Sequence, residues 1–340
     1  MPHKQDSQRL FEIHAGRESV SIVLCTFNGA RYLPAQLASY LNQDRLPDEL
    51  VIGDDGSTDE TESLIQEFAR TAPFPVHFHR NAERLGVGRN FDQAIQRCTG
   101  DFIALSDQDD EWRPDKLSRL VKLMQQHPTA GYACSDAELI DGESQPLNGR
   151  LWEQYRTPPG SFLQGDFQST ARHLLLQSDR VLGATMLLRA ACLKPLSPIP
   201  TSWVHDHWIS VMCELLGAHG VCTSELITRY RLHGNQTCGL RRPVGSYRRK
   251  QRDFADRSLQ RIRRRERLVD LRKHLTQQLI PEQPELARWL PLLDQAELLA
   301  QQAIDRDGMS WWRRKFDRLQ QWWRSTPHTT FQTQQEMGHS

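Results

Sequence analysis

The chain has 340 residues, 38% of them hydrophobic, with a formal net charge of +1; this length holds one large domain or two smaller ones, and the balance gives no global sign of nucleic-acid binding. Its seven cysteines, Cys25, Cys98, Cys134, Cys192, Cys213, Cys222 and Cys238, contain no CxxC pair and suit buried thiols in a reducing cytosol. No run of about 20 apolar residues occurs, and the N-terminal stretch MPHKQDSQRLFEIHAGRES lacks an apolar h-region, so neither a membrane span nor a signal peptide is expected.

Val20–Cys25 reads as a first strand, and Leu33, Leu37, Tyr40 and Leu41 then recur at helical spacing. Leu50–Ile52 is a second strand. The turn Asp54–Glu60 follows it, with Ser57 and Glu60 three apart as in a capping box. Leu64, Ile65 and Phe68 mark the next helix, Val76–Arg80 a third strand, and Phe91, Ala94 and Ile95 a third helix. Phe102–Leu105, bounded by Gly100 and Ser106, is a fourth strand. Strands and helices alternating at this spacing predict an α/β unit over about residues 18–130, a doubly wound, mostly parallel sheet. No G-x-G-x-x-G follows the first strand, which argues against a dinucleotide fold of the usual kind.

From Gly131 to about Leu240 the pattern loosens. Val181–Leu188 and Leu226–Tyr230 read as strands and Trp208–Leu216 as a helix. Beyond Arg241 the chain is Arg-rich, helical in pattern and broken at Pro281 and Pro284. Arg241–His274 carries 14 Lys and Arg against 4 Asp and Glu, a net +10, which leaves −9 for the rest of the chain. Trp312, Phe316, Leu319 and Trp323 recur on one helix face, widened by Trp311 and Trp322 among Arg and Lys. Such a face either meets an anionic membrane headgroup region or packs on the catalytic domain or a partner. The last 15 residues are polar and read as disordered.

The most informative segment is Ser106–Lys116, SDQDDEWRPDK. Asp107, Asp109 and Asp110 crowd the C-terminal end of a buried strand, where open α/β sheets bind ligands. Like charges this close repel unless a cation lies between them, and carboxylate oxygens suit a hard divalent ion. The competing reading is a solvated acidic loop ahead of a helix opened by Pro114. Thr26-Phe27-Asn28-Gly29 ends the first strand with short polar groups that suit a base or ribose, or form an ordinary turn. Asp54-Asp55-Gly56-Ser57 ends the second; a carboxylate there can accept from a pyrimidine N–H. Arg84 and Arg89, in NAERLGVGRN, either pair bidentately with phosphate or belong to a flexible surface loop, the reading favoured for each Arg taken singly. In Val204–Ile209, Asp206 lies between His205 and His207 at the opening of a helix. That placement suits a general base or a helix cap. His233 follows a strand and precedes a Gly turn, a position more often structural than ligating.

Taken in order, SIVLCTFNGARYLPAQLASYLNQ, DELVIGDDGSTDET, ERLGVGRNFDQAI and GDFIALSDQDDEWRPDKL are similar to a bacterial family 2 glycosyltransferase of the GT-A fold. HDHWIS and YRLHGNQT resemble its rhamnosyltransferase-like branch. The likeness covers about residues 18–240. It implies a GT-A domain over 18–240, split into a nucleotide-binding half at about 18–130 and an acceptor half at about 131–240. Around this lie a polar lead at 1–17, a basic helical region at 241–325, which completes the fold as a helical C-terminal extension, and a tail at 326–340.

The resemblance further implies that Thr26, Asn28 and Asp55 hold the nucleoside, with Arg84, Asn90 and Asp107 completing the nucleotide-sugar site. Asp107, Asp109 and His233 would meet a Mg2+ or Mn2+ ion, Asp109 most directly. Asp206 would be the catalytic base, and Gly183, Thr185, His205 and Trp208 would lie on the acceptor side. The family often has Cys or Ser where this chain has Ala184, and Gln where it has Leu232, which weakens any sugar assignment. The implied reaction is inverting transfer from a deoxythymidine- or uridine-type nucleotide-diphospho-sugar, with rhamnose favoured. The acceptor would be a lipid-linked saccharide of surface polysaccharide, and the enzyme would be cytoplasmic, peripheral on the inner membrane face through 305–325. The alternatives are a sugar-nucleotide nucleotidyltransferase, against which TFNGARYLP lacks a Gly-rich triphosphate loop, and a non-catalytic glycan-binding or assembly protein on the same fold.

Overall fold

The computed structural model describes residues 17–155, 167–177, 181–234 and 249–306. The aromatic face at Trp312–Trp323, the polar tail, Cys238 and residues 1–16 lie outside the described residues. Strands β1 (Val20–Thr26), β2 (Glu49–Asp54), β3 (Val76–Arg80) and β4 (Phe102–Asp107) alternate with helices α1 (Leu33–Leu41), α2 (Thr61–Thr71) and α3 (Val87–Ile95). These four strands pair in parallel in the order β3-β2-β1-β4. The sheet continues through β8 (Met186–Arg189), β6 (Tyr132–Ile140), β9 (Gly220–Arg231) and β5 (Glu111–Trp112), with β7 (Pro146–Arg150) paired to β6. Beyond β4 the pairing is mixed: β8 runs antiparallel to β4 and β6, while β9 runs parallel to β6.

The continuous apolar runs of β1, β2 and β4 are buried on both faces, as sheets covered on both sides require. Ile22, Leu24, Ile52 and Ala104 enter one layer with Leu37 of α1 and Leu120 of α4 (Lys116–Gln126). Val23, Val51, Ile103 and Leu105 enter the other, with Phe91 of α3 and Ile209 and Met212 of a helix at His205–Leu215. That helix is α6; α5 is Phe167–Gln177. The basic C-terminal region forms α7 (Arg249–His274), a π turn at Leu275–Leu279, a 3-10 turn at Pro284–Trp289 and a helix over 290–306. Leu268, Leu271, Trp289 and Leu293 join the second core layer, and the Trp289 indole donates to the Leu215 carbonyl at 2.9 Å. No helix among the described residues is long and apolar enough to cross a membrane.

Three local expectations are corrected. The capping box at Ser57 and Glu60 does not form: Ser57 donates its hydroxyl to Asp54 and accepts from the Asn28 N–H, while Asp59 bonds the Thr61 N–H at 3.1 Å as α2 starts. Val181–Leu188 is not one strand, because Gly183–Thr185 makes a 3-10 turn before β8 begins at Met186. The cause is tertiary: the Gly183 N–H donates to the Asp206 carboxylate at 3.2 Å, and a β-carbon on Gly183 would stand 2.6 Å from His205 Nε2. The sixth helix starts at His205 rather than Trp208, which puts both histidines and Asp206 in its first turn.

Candidate active site

Parallel pairing brings the C-terminal ends of β1, β2 and β4 side by side, with Cys25 beside Asp107 and Thr26 beside Asp54. Their loops therefore converge at one sheet edge. Side-chain amides lock them there. Gln108 accepts from the Phe27 N–H at 2.8 Å and donates to the Phe27 carbonyl at 3.1 Å, binding the loop after β4 to the loop after β1. Asn28 sits at φ 48°, in the left-handed region that Asn tolerates, and its Oδ1 accepts from the Thr58 N–H at 2.8 Å. The Thr26 hydroxyl donates to Asp54 at 2.8 Å.

A pocket of about 170 Å³ opens at this edge, lined by Thr26, Asp55, Arg84, Asn90, Asp107 and Asp109 among others. Six predicted residues thus line one cavity; Asn28 and His233 are not among its lining residues, and Arg89 is exposed on α3. Asp55 is buried and accepts the N–H groups of Leu85 at 2.7 Å and Gly86 at 2.9 Å, and the Asn81 amide at 3.1 Å. Three of a carboxylate's roughly four acceptor positions are thereby used. Arg84 lies over the Phe27 ring at 3.8 Å and forms a cationic, aromatic wall. Asn90 is spent on the scaffold: it donates to the Gly53 carbonyl at 2.8 Å and accepts from Asn81 at 3.0 Å.

The acidic cluster is not a solvated loop. Burial pushes the Asp107 carboxyl up to about 7, with Asp109 and Asp206 adding repulsion and Lys116 opposing it. Burial, then Asp109 and Asp107, also raise Asp110 well above the carboxylate range. Asp110 Oδ1 accepts from the Arg231 N–H at 2.9 Å, and its Oδ2 is buried with no hydrogen-bond partner among the described residues. Asp109 Oδ2 is 2.8 Å from His233 Nε2, whose ring rests on Tyr32 at 4.7 Å.

Two cations that sequence reasoning missed organise this cluster. Lys116 is fully buried, donates to the Ala184 carbonyl at 2.6 Å and lies over the Trp112 ring at 3.8 Å. Burial pulls its ammonium down to about 7, against Asp110 and Asp107, which hold it up. The available signal was helical phase: Lys116 shares a face with Leu120 and Met124, both buried. Arg231, 1% exposed, donates to the Asp109 carbonyl at 2.7 Å, the Asp141 carbonyl at 2.9 Å and Glu111 at 2.6 Å, tying the acidic loop to β9.

Asp206, which adds to the repulsion on Asp107 without lining the pocket, is buried in the first turn of α6. Its Oδ1 accepts the His207 N–H at 2.7 Å and its Oδ2 the Gly183 N–H. His205 stacks on Phe91 at 3.7 Å. Thr185 is buried, and its hydroxyl donates to the Leu182 carbonyl at 2.8 Å. Trp208 does not face an acceptor: it is 0% exposed, and its indole donates to the Leu196 carbonyl at 2.7 Å. Every residue of α6 is buried, and Trp208 packs against Trp203 and His274. Trp208→Ala is accordingly expected to cost about 3–5 kcal/mol of folding stability, measured by urea unfolding; a loss below about 1 kcal/mol would contradict this placement.

No group of three His, Cys, Asp or Glu side chains that could hold a metal unaided occurs among the described residues. Mg2+ is commonly held by one or two carboxylates together with substrate phosphates, so the donor set suits it. Hard oxygens at Asp107 and Asp109, one unpartnered Asp110 oxygen and mutual repulsion all fit a divalent cation.

The sheet order, with carboxylates at the end of β4, is that of the GT-A fold. In solved structures the same fold occurs in S. aureus TarS 1-349 in complex with UDP-GlcNAc, with a TM-score of 0.51, 16% identity and coverage of 84% of this chain and 81% of that one. Residues 21–171 match the model of Glycosyl transferase family 2. An uncharacterized glycosyltransferase of Nostoc sp. is 33% identical over 129 residues, 38% of this chain and 39% of that protein. The dTDP-rhamnosyl transferase RfbG of Shigella flexneri is 31% identical over 102 residues, 29% of this chain and 35% of that protein. The chain thus spans under two fifths of the length of these two relatives.

Proposed function

We propose that this protein is an inverting, metal-dependent glycosyltransferase. It moves a sugar from a nucleotide-diphospho-sugar to a saccharide acceptor in surface polysaccharide assembly. The observation that carries this reading is the pocket at the β1, β2 and β4 edge, lined by Asp107 and Asp109, with Asp206 outside its lining but near enough to add to the repulsion on Asp107. Residues 18–130 would form the nucleotide half and 131–240 the acceptor half. Asp55 keeps one acceptor position for a base N–H, beside the Phe27–Arg84 wall.

Asp107 and Asp109, with His233 against Asp109, would hold a Mg2+ or Mn2+ ion, which as a Lewis acid would offset charge on the departing diphosphate. Lys116, within the field of Asp110 and Asp107, bonds the Ala184 turn and so ties the donor side to the acceptor side. The Asp206 carboxylate, aimed by the Gly183 and His207 N–H groups, takes the proton of the acceptor hydroxyl. The hydroxyl oxygen bonds to the anomeric carbon as the bond to the diphosphate oxygen breaks on the opposite face, which inverts that centre. The rhamnosyl transferase relative supports deoxythymidine-diphospho-rhamnose as donor. The basic stretch at 241–274 suits a peripheral position on the inner face of the cytoplasmic membrane, near a lipid-linked acceptor.

Donor hydrolysis tests the reading. With deoxythymidine-diphospho-rhamnose and no acceptor, the chain should slowly release deoxythymidine diphosphate with Mg2+ or Mn2+, and not in EDTA. No metal-dependent release from this or any other nucleotide-sugar would refute it.

A further inference from the structure

A second and larger cavity, about 1140 Å³, lies between α7 and the segment Thr201–Val204. Its walls carry six cations, Arg261, Arg263, Arg264, Arg265, Arg267 and Lys273, against two carboxylates, Glu266 and Asp270. Asp270 is already engaged, accepting the Ser202 hydroxyl at 2.6 Å and lying 3.8 Å from Lys273. Part of the wall is structural. Arg261 donates to the Ala303 carbonyl, Arg264 to Leu175, and the Arg267 carbonyl accepts the Trp203 indole at 2.9 Å. Arg263 and Arg265 are different: both are exposed, and neither side chain makes a hydrogen bond or ion pair among the described residues.

A net charge of +4 gathered on one cavity repels itself and attracts anions. Guanidinium forks match phosphate oxygens in pairs, which favours phosphate over a single carboxylate. The volume exceeds the roughly 300–1,000 Å³ of drug-sized sites and suits a phosphate borne on something saccharide-sized. The position is equally specific. Val204 lines the cleft, and Asp206 is two residues on, at most about 7 Å of chain. On the far side of the same strip a β-carbon on Gly88 of α3 would stand 2.9 Å from the Trp203 carbonyl. Gly86, Val87 and Phe91 of that α3 region line the carboxylate pocket. One strip of backbone therefore separates the two cavities.

We propose that this cleft binds a phosphate or pyrophosphate group carried by the acceptor, holding the acceptor so that its hydroxyl reaches Asp206. The acceptor role rests on the glycosyl-transfer reading above; the anion site itself does not.

The test is calorimetric titration of the full chain with inorganic pyrophosphate, in EDTA and at physiological salt, with vesicles of phosphatidylglycerol and phosphatidylcholine as a second arm. Pyrophosphate should bind the unaltered chain and the Asp109→Asn variant alike, and about tenfold or more weaker when Arg263 and Arg265 are both replaced by Ala. Pyrophosphate binding without vesicle binding indicates a soluble phosphate-bearing acceptor; binding of both, each lost with the two arginines, indicates a lipid-borne phosphate. Equal pyrophosphate affinity in the double variant, or vesicle binding without pyrophosphate binding, overturns the proposal. If pyrophosphate is not held while donor hydrolysis proceeds, the cleft assignment alone fails. If the arginines hold pyrophosphate but no nucleotide-sugar is ever cleaved, the glycosyl-transfer reading fails and takes the acceptor role with it.

Discussion

Asp206→Asn is expected to lower glycosyl transfer by about 100- to 10,000-fold while leaving nucleoside-diphosphate binding near its wild-type level. The amide keeps the shape but cannot take a proton. It also cannot accept twice as the carboxylate does, through Oδ1 from His207 and Oδ2 from Gly183. The shorter bond, at 2.7 Å to His207, should keep the carbonyl oxygen, and the amide nitrogen will then oppose the Gly183 N–H. The Gly183–Thr185 turn should loosen at a cost of about 1–3 kcal/mol, visible as a lowered melting temperature in a protein that still folds and binds nucleotide. Transfer within tenfold of wild type would move the base elsewhere. Asp110 or Asp136 would then be the better candidate: each accepts backbone N–H groups on Oδ1 and has an Oδ2 with no hydrogen-bond partner among the described residues.

Asp109→Asn should abolish the metal dependence of donor binding and lower turnover by at least about 100-fold, since a bound cation contributes several kcal/mol of charge stabilisation. Its effect on the metal-free fold has the opposite sign. Asp109 is a source of repulsion for both Asp107 and Asp110, so its neutralisation relieves one half-buried and one buried carboxyl. The variant in EDTA should melt no lower than the wild type. Normal metal-dependent turnover, or a large loss of stability without metal, would contradict this assignment.

The first half of the fold is legible because its signals are local. Each of β1, β2 and β4 is a short apolar run closed by polar residues, and the carboxylates that matter sit directly beyond those runs. The acceptor side is harder for a physical reason. Val181-Leu182-Gly183-Ala184-Thr185-Met186 has the composition of a strand, and only the bond from Gly183 to Asp206, 23 residues away, folds it into a turn. Lys116 and Arg231 carry no assignment from the sequence, and their long-range partners, Ala184 and the Asp109–Glu111 loop, hold them inside. Trp208 misleads in the reverse direction: the resemblance puts it on the acceptor side, while its indole is packed in the core and bonded to the Leu196 carbonyl. The arginines of α7 are conspicuous in composition, but the cleft they line exists only once Thr201–Val204 packs opposite them.

The most direct test of the central claim is the melting temperature of the full chain with deoxythymidine or uridine diphosphate, with Mn2+ and again in EDTA. A nucleotide at 100 times its dissociation constant should stabilise the fold by about 2.7 kcal/mol. The account predicts that stabilisation with Mn2+, its loss in EDTA and its loss in Asp109→Asn. Equal stabilisation with and without metal, or none from either nucleotide, would contradict it.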